Sequence, residues 1–147
     1  MNVEILIFRI GILIGLLLFG ITKQKFVKGI LIGLIISYAL SFFKIQLLTT
    51  VGHISFIILC LVYSIHSVIN KNWRNLIIGF FAFASLLFGI LHWNYGGEVQ
   101  LSMLIPIVAY LSLFTKWRKY KSEISVLTIF VAYEISQFVV VTQQWIN

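Results

Sequence analysis

Of all the ionisable groups in this chain, Glu134 sits in the most demanding place: it interrupts residues 124–141, ISVLTIFVAYEISQFVVV, an apolar run long enough to cross a bilayer. A charge near the centre of a span costs about 2.5–3.5 kcal/mol on insertion scales, so it is expected to face protein or a water-filled cavity. Arg9 is the basic residue at matching depth. At 1.5 Å per residue it lies roughly 9 Å inward from the outer end of the first apolar run, and Glu134 roughly 10 Å inward on the last. Gln137 and Gln144 fall within about 80° of Glu134 on the helical wheel and extend a polar stripe outward. Ser37, Tyr38 and Ser85 are expected at similar depth, and Pro106 would free the carbonyl of Ser102 at that level. Two roles follow for this polar layer. It is either an Arg9–Glu134 ion pair that fixes how the terminal helices dock, or a binding site or proton relay built on Glu134.

The other reactive side chains point to less. Cys60 lies inside an apolar run as a buried, inert thiol, so neither a disulfide nor a multi-cysteine metal site is expected. His53 and His66 are 13 residues apart on one run, about 20 Å along a helix, a separation like that of stacked haem ligands. Two bis-histidine haems need four histidines and the chain has three; a single haem between His53 and His92 is the remaining cofactor alternative. No nucleophile paired with a base, phosphate loop or zinc set occurs in the sequence. The expectation is therefore no enzyme activity, no metal and no cofactor.

These residues must be positioned by membrane helices. A chain that is 61% hydrophobic and 10% charged, with a mean hydropathy of +1.05, is far from a soluble globular composition. Six continuous apolar runs, about residues 3–21, 26–43, 51–69, 76–91, 99–114 and 124–141, predict an all-α polytopic membrane bundle in a single domain over 1–147. Lys23, Lys25 and Lys28 follow the first run, Lys71 and Arg74 the third, and Lys116, Arg118, Lys119 and Lys121 the fifth. The intervening connectors, IQLLTT and HWNYGGEVQ, carry no Lys or Arg beyond Lys44 at a helix end, and Glu4 and Glu98 lie on that side. The positive-inside rule then places both termini outside an inner (plasma) membrane. An acid before the first run and the lack of a basic leader predict a retained span in place of a signal peptide. The +7 charge reads as topology and contact with anionic lipid, not as a nucleic-acid surface.

Two repeats suggest how helices pair. GILIGL occurs at residues 11–16 and 29–34, giving the glycine pairs Gly11/Gly15 and Gly29/Gly33, which predict a tight antiparallel hairpin of the first two helices. Phe43, Ile45 and Gly52 recur as Phe88, Ile90 and Gly97, a constant offset of 45 residues, as a duplicated hairpin would.

The segments FGILHWNYGG from Phe88 and FKIQ from Phe43 resemble the FKI-x-HWPG segment at the outer end of the first helix in the motor-subunit family of the Bacteroidota gliding and type IX secretion machinery. Phe88, Ile90, His92 and Trp93 match, whereas Gly89 and Asn94 replace its lysine and proline; the first copy keeps Phe43, Lys44 and Ile45. The resemblance implies a bacterial origin. It does not carry over motor function, because that family has two spans, a cytoplasmic tail and its glutamate on an unrelated helix.

The functional expectation is a small subunit or scaffold of a membrane complex that offers helix faces to a protein partner or to a second copy. The alternatives are a small proton- or ion-coupled transporter or channel using Glu134 with Arg9, and a membrane immunity protein. A polar cavity reaching Glu134 would favour transport; a closed core would favour the subunit.

Overall fold

Lipid solvates apolar side chains as well as protein does, so what decides which helix goes inside is where the polar groups are. Ser125, Thr128, Glu134 and Ser136 all lie on the final run, and that run becomes the axis of the bundle. The computed structural model describes residues 2–43, 45–90 and 102–146, and its regular elements are helical. The principal ones are α1 (Val3–Leu17), α2 (Lys25–Leu40), α3 (Gln46–Ile69), α4 (Trp73–Ile90), α5 (Leu104–Leu113) and α6 (Ile124–Ile146). Short 3-10 turns extend α1 and α5, and one helical turn, Trp117–Tyr120, leads toward α6. Every residue from Glu123 to Ala132 is buried. Helix α1 packs along α6, which also touches α2, α4 and α5; α3 lies between α2 and α4.

The outward faces are the apolar ones. Leu13, Leu17, Ile58, Ile65, Val108 and Leu111 are exposed, as a lipid-facing surface requires. Among the described residues three helices are long and apolar enough to cross a membrane: Val3–Ile21, Gln46–Ile69 and Ile124–Gln143. Trp73–Gly89 is a shorter apolar helix, while α2 has 16 residues and α5 has 10.

Two local expectations change. The connector IQLLTT is not a loop: α3 begins at Gln46, with Ile45 as its N-cap. Nothing there breaks a helix, and Thr49 Oγ1 donates to the Phe43 carbonyl at 2.8 Å, tying the entry to the end of the preceding segment. Pro106 does not interrupt a span, because α5 starts at Leu104 and puts the proline in its first turn, where a missing N–H costs little. Lys44, His92, Trp93, Gly97 and Glu98 lie outside the described residues, and with them the last residue of the second copy of the 45-residue repeat and most of the HW segment.

The glycine prediction is corrected too. The Gly11/Gly15 pair seats α6 instead of α2. A Cβ at Gly11 would overlap that of Ala132, and one at Gly15 would stand 2.7 Å from Ile129 Cγ1 and 3.0 Å from the Ser125 carbonyl. Gly33 faces Leu59 of α3, and Gly29 meets nothing within 4 Å. A small-residue pattern marks a surface that admits close approach, and the buried polar face of α6 is the surface that needed covering. Gly11→Ala is therefore expected to cost about 1–3 kcal/mol by overpacking, whereas Gly29→Ala should be neutral or stabilising by about 0.5–1 kcal/mol. Unfolding of the detergent-solubilised variants would read both; equal losses would restore the α1–α2 hairpin.

Candidate functional site

Ten residues of α6 separate its first buried turn from its middle, and the polar side chains gather at both places. At the middle, Glu134 is fully buried. Its Oε2 accepts a hydrogen bond from Ser85 Oγ of α4 at 3.0 Å, and its Oε1 has no hydrogen-bond partner. The expected pairing with Arg9 is thus replaced by a neutral hydroxyl donor. Arg9 instead places its guanidinium 5.3 Å from the centre of the Phe42 ring, at the end of α2. The reason is direction: Arg9 belongs to the exposed side of α1, whereas the glycine face of the same helix is the one turned to α6.

A cavity of about 800 Å³ is lined by the neighbours of Glu134 on α6, though not by Glu134 itself. Arg9, Ser37, Tyr38, His53 and Gln137 all line it, together with Glu4, Ser41 and Thr50. So the predicted polar layer is largely one site: Arg9, Ser37, Tyr38 and Gln137 share the cavity wall, and Ser85 sits behind it on Glu134. Tyr133, Ser136 and Gln137 of α6 reach the cavity, as do Leu86 and Gly89 of α4. These residues flank Glu134 and Ser85 on both helices, so the cavity ends against the turn that carries the carboxyl. Ser102 is half-buried and does not line it.

The wall is held by aromatic edges. Phe8 of α1 makes T-shaped contacts with Tyr38 at 5.2 Å, Tyr133 at 5.5 Å and Phe56 at 5.9 Å, joining four helices around the cavity. His53 Nδ1 donates to the Thr49 carbonyl at 2.9 Å, which leaves Nε2 as its outward-facing nitrogen. Among the described residues no group of three or more His, Cys, Asp or Glu side chains could hold a metal ion. The haem alternative cannot be placed, since His92 is outside the described residues.

The opposite end of the bundle holds the groups that sequence reasoning missed. Tyr63 of α3 donates to Glu123 Oε2 at 3.2 Å, and Thr22 Oγ1 and Ser125 Oγ are 2.7 Å apart in the interior. The Lys23 N–H donates to Ser122 Oγ at 3.0 Å, and Arg74 Nη1 donates to the Ser112 carbonyl at 2.7 Å. These bonds bring the three basic connectors together at one end. Asn75, in the first turn of α4, is fully buried, and neither its Oδ1 nor its Nδ2 has a partner. Glu123 was not singled out from the sequence; the available signal was Glu123, Ser125 and Thr128, polar residues at the opening of the last apolar run.

Burial pushes the Glu123 carboxyl above its ordinary value of 4.5, opposed by the Tyr63 hydroxyl and by the Lys119 charge. The folded protein then holds this proton more tightly than the unfolded chain does. Stability from this group is greatest below the unfolded value and falls as pH rises from there through the raised folded value. Denaturation followed across that window should show the slope, and Glu123→Gln should flatten it; an unchanged slope would mean that Glu123 is not buried as described.

The chain matches no protein-family model, no curated protein and no solved structure, so its function must be read from this geometry.

Proposed function

We propose that this chain is a six-span inner-membrane protein with periplasmic termini, and that it works as a small proton-coupled transporter or channel whose outer-half cavity leads to Glu134. The observation that carries this reading is the pairing of the cavity of about 800 Å³ with a fully buried carboxyl that keeps one oxygen unsatisfied. A purely structural carboxylate would be expected to have a cation within hydrogen-bond distance, because an uncompensated buried charge costs several kcal/mol. A proton supplies that compensation here, and Ser85 is suited to it because a hydroxyl can donate to a carboxylate or accept from a carboxylic acid.

The orientation follows from the charges. Nine of the eleven basic residues lie in the three connectors joined at one end, which the positive-inside rule assigns to the cytoplasm. The cavity is at the other end and would open toward the periplasm. Arg9 and His53 at its wall favour an anionic or polar solute, and the Phe8, Phe56 and Ile54 sides limit its size. A subunit or scaffold with a closed core is less well supported, because such a role gives no reason for the cavity. Association with a second copy or another membrane protein is compatible with either role.

Infrared difference spectroscopy in lipid tests the central step. A protonated-carboxyl band that titrates in the wild type and is missing from Glu134→Gln is the expected result. A carboxylate that stays ionised across the whole accessible range would sink the proton-site reading. In the same preparation Glu134→Gln should fold, since it stays neutral and keeps an acceptor for Ser85, whereas Glu134→Lys should lose about 3–5 kcal/mol, as an unpaired buried charge does.

A further inference from the structure

Glu123 immediately precedes α6, and Glu134 lies eleven positions further along it, about 16 Å along the axis. Near the first is Tyr63, whose hydroxyl donates to Glu123; near the second are Ser85 and, within electrostatic reach, the buried Cys60 thiol.

We propose that Glu123, Tyr63 and Asn75 form a second, inner proton-binding site that holds water, and that it exchanges protons with Glu134 through the α3–α4–α6 interior. This rests on the reading of Glu134 as a proton site and adds the route by which its proton reaches the cytoplasmic end.

The register of α3 and α4 sets Asn75 at the depth of this site. A Cβ at Gly79 would stand 2.7 Å from Ser64 Oγ and 3.2 Å from Tyr63 Cδ1. The helices are joined by the short Asn70–Asn72 turn and run antiparallel, so Asn75, one turn nearer the basic end than Gly79, is level with Ser67. Ser67 is buried and its Oγ donates to the Tyr63 carbonyl at 2.9 Å. A fully buried amide with both polar atoms unpaired is a costly arrangement, at about 1–3 kcal/mol for each lost hydrogen bond. One or two waters would satisfy both its donor and its acceptor, and the site offers further partners in Tyr63, Ser67 and Glu123.

The charged and titratable groups facing the two carboxyls can be named. Glu123 meets Tyr63 from α3 and Lys119 from the turn before α6. Glu134 meets Cys60 from α3 and Ser85 from α4, while Arg9 of α1 lines the adjoining cavity. Between the two levels the interior is walled by Ile78, Ala82 and Phe130, with Ser64 and Cys60 as its polar members. The Phe130 ring packs edge-on against Tyr63 at 5.4 Å. That apolar stretch separates the inner site from Glu134. At the inner site the excess proton arrives on the water at Asn75; the Tyr63 hydroxyl takes it while giving its own proton to the Glu123 carboxylate, which leaves a neutral water, a neutral tyrosine and a carboxylic acid, and no bond between heavy atoms changes.

The test uses the full chain in phospholipid vesicles. Proton uptake driven by a potassium diffusion potential is read by a trapped pH-sensitive dye, with the Glu134 infrared band followed in parallel. Glu123→Gln and Tyr63→Phe are expected to slow uptake by about 100-fold, the scale of a lost proton-transfer group, while the Glu134 band still titrates; Asn75→Leu should do the same, and Glu123→Asp should restore part of the flux. Tyr63→Phe keeps the ring against Phe130, so it guards against a mere folding defect. If the wild type takes up no protons, or takes them up unchanged in Glu123→Gln and Tyr63→Phe, while Glu134 titrates, the inner site is wrong and the Glu134 reading survives. If Glu134 does not titrate at all, both are overturned.

Discussion

Everything in this bundle follows from hiding one helix from lipid. Helix α6 carries a carboxyl, two serines, a threonine and Gln137 on a mainly apolar run, and the carboxyl above all cannot face hydrocarbon without a cost of kcal/mol order. The other helices close around it, with α1 brought closest by Gly11 and Gly15. That seat matters for the outer half as well. With the glycine face of α1 against α6, Phe8 points into the aromatic cluster and Arg9 to the cavity wall. One choice of helix pairing thus sets both the burial of Glu134 and the composition of the site beside it.

The interior that results is polar at two levels and apolar between them. The inner level is tied by side-chain bonds from three connectors, Thr22 to Ser125, Tyr63 to Glu123 and Arg74 to Ser112. The outer level is held by ring packing around a cavity instead. Direct hydrogen bonds in a low-dielectric interior resist local opening, whereas aromatic edges around a cavity can repack at smaller cost. The outer half is therefore the part of the structure with room to change shape, and the basic end is the part that holds the helices in register.

Much of this was legible in the sequence because it depends on hydropathy and charge, which are local. The helices begin and end near the apolar-run boundaries, the basic connectors converge, and Ser37, Tyr38, Arg9 and Gln137 come together as depth counting required. What failed were inferences about partners. Counting residues along an axis gives depth without azimuth, so it matched Arg9 to Glu134 and could not see that Arg9 lies on the far side of α1 from the glycine seat. A repeated GILIGL likewise tells where a backbone can be approached but not by which helix. Glu123 and Asn75 were not singled out: they stand beside Lys116–Lys121 and after Lys71, and only the packing of the helices buries them.

The replacement of an arginine by a serine as the partner of Glu134 has a chemical consequence larger than a missed contact. A guanidinium can only donate, and it carries a fixed charge, so it stabilises the carboxylate alone and would lock one protonation state. Ser85 Oγ has one proton and two lone pairs. It can donate to Oε2 of the carboxylate, as in this arrangement, or turn and accept from the carboxylic acid, at the cost of one hydroxyl rotation. The helix geometry around it need not move for that exchange. A site of this kind is poorly built for fixing a fold and well built for tolerating two charge states, which is why the neutral partner, more than the burial of Glu134 itself, separates a proton-handling role from a structural one.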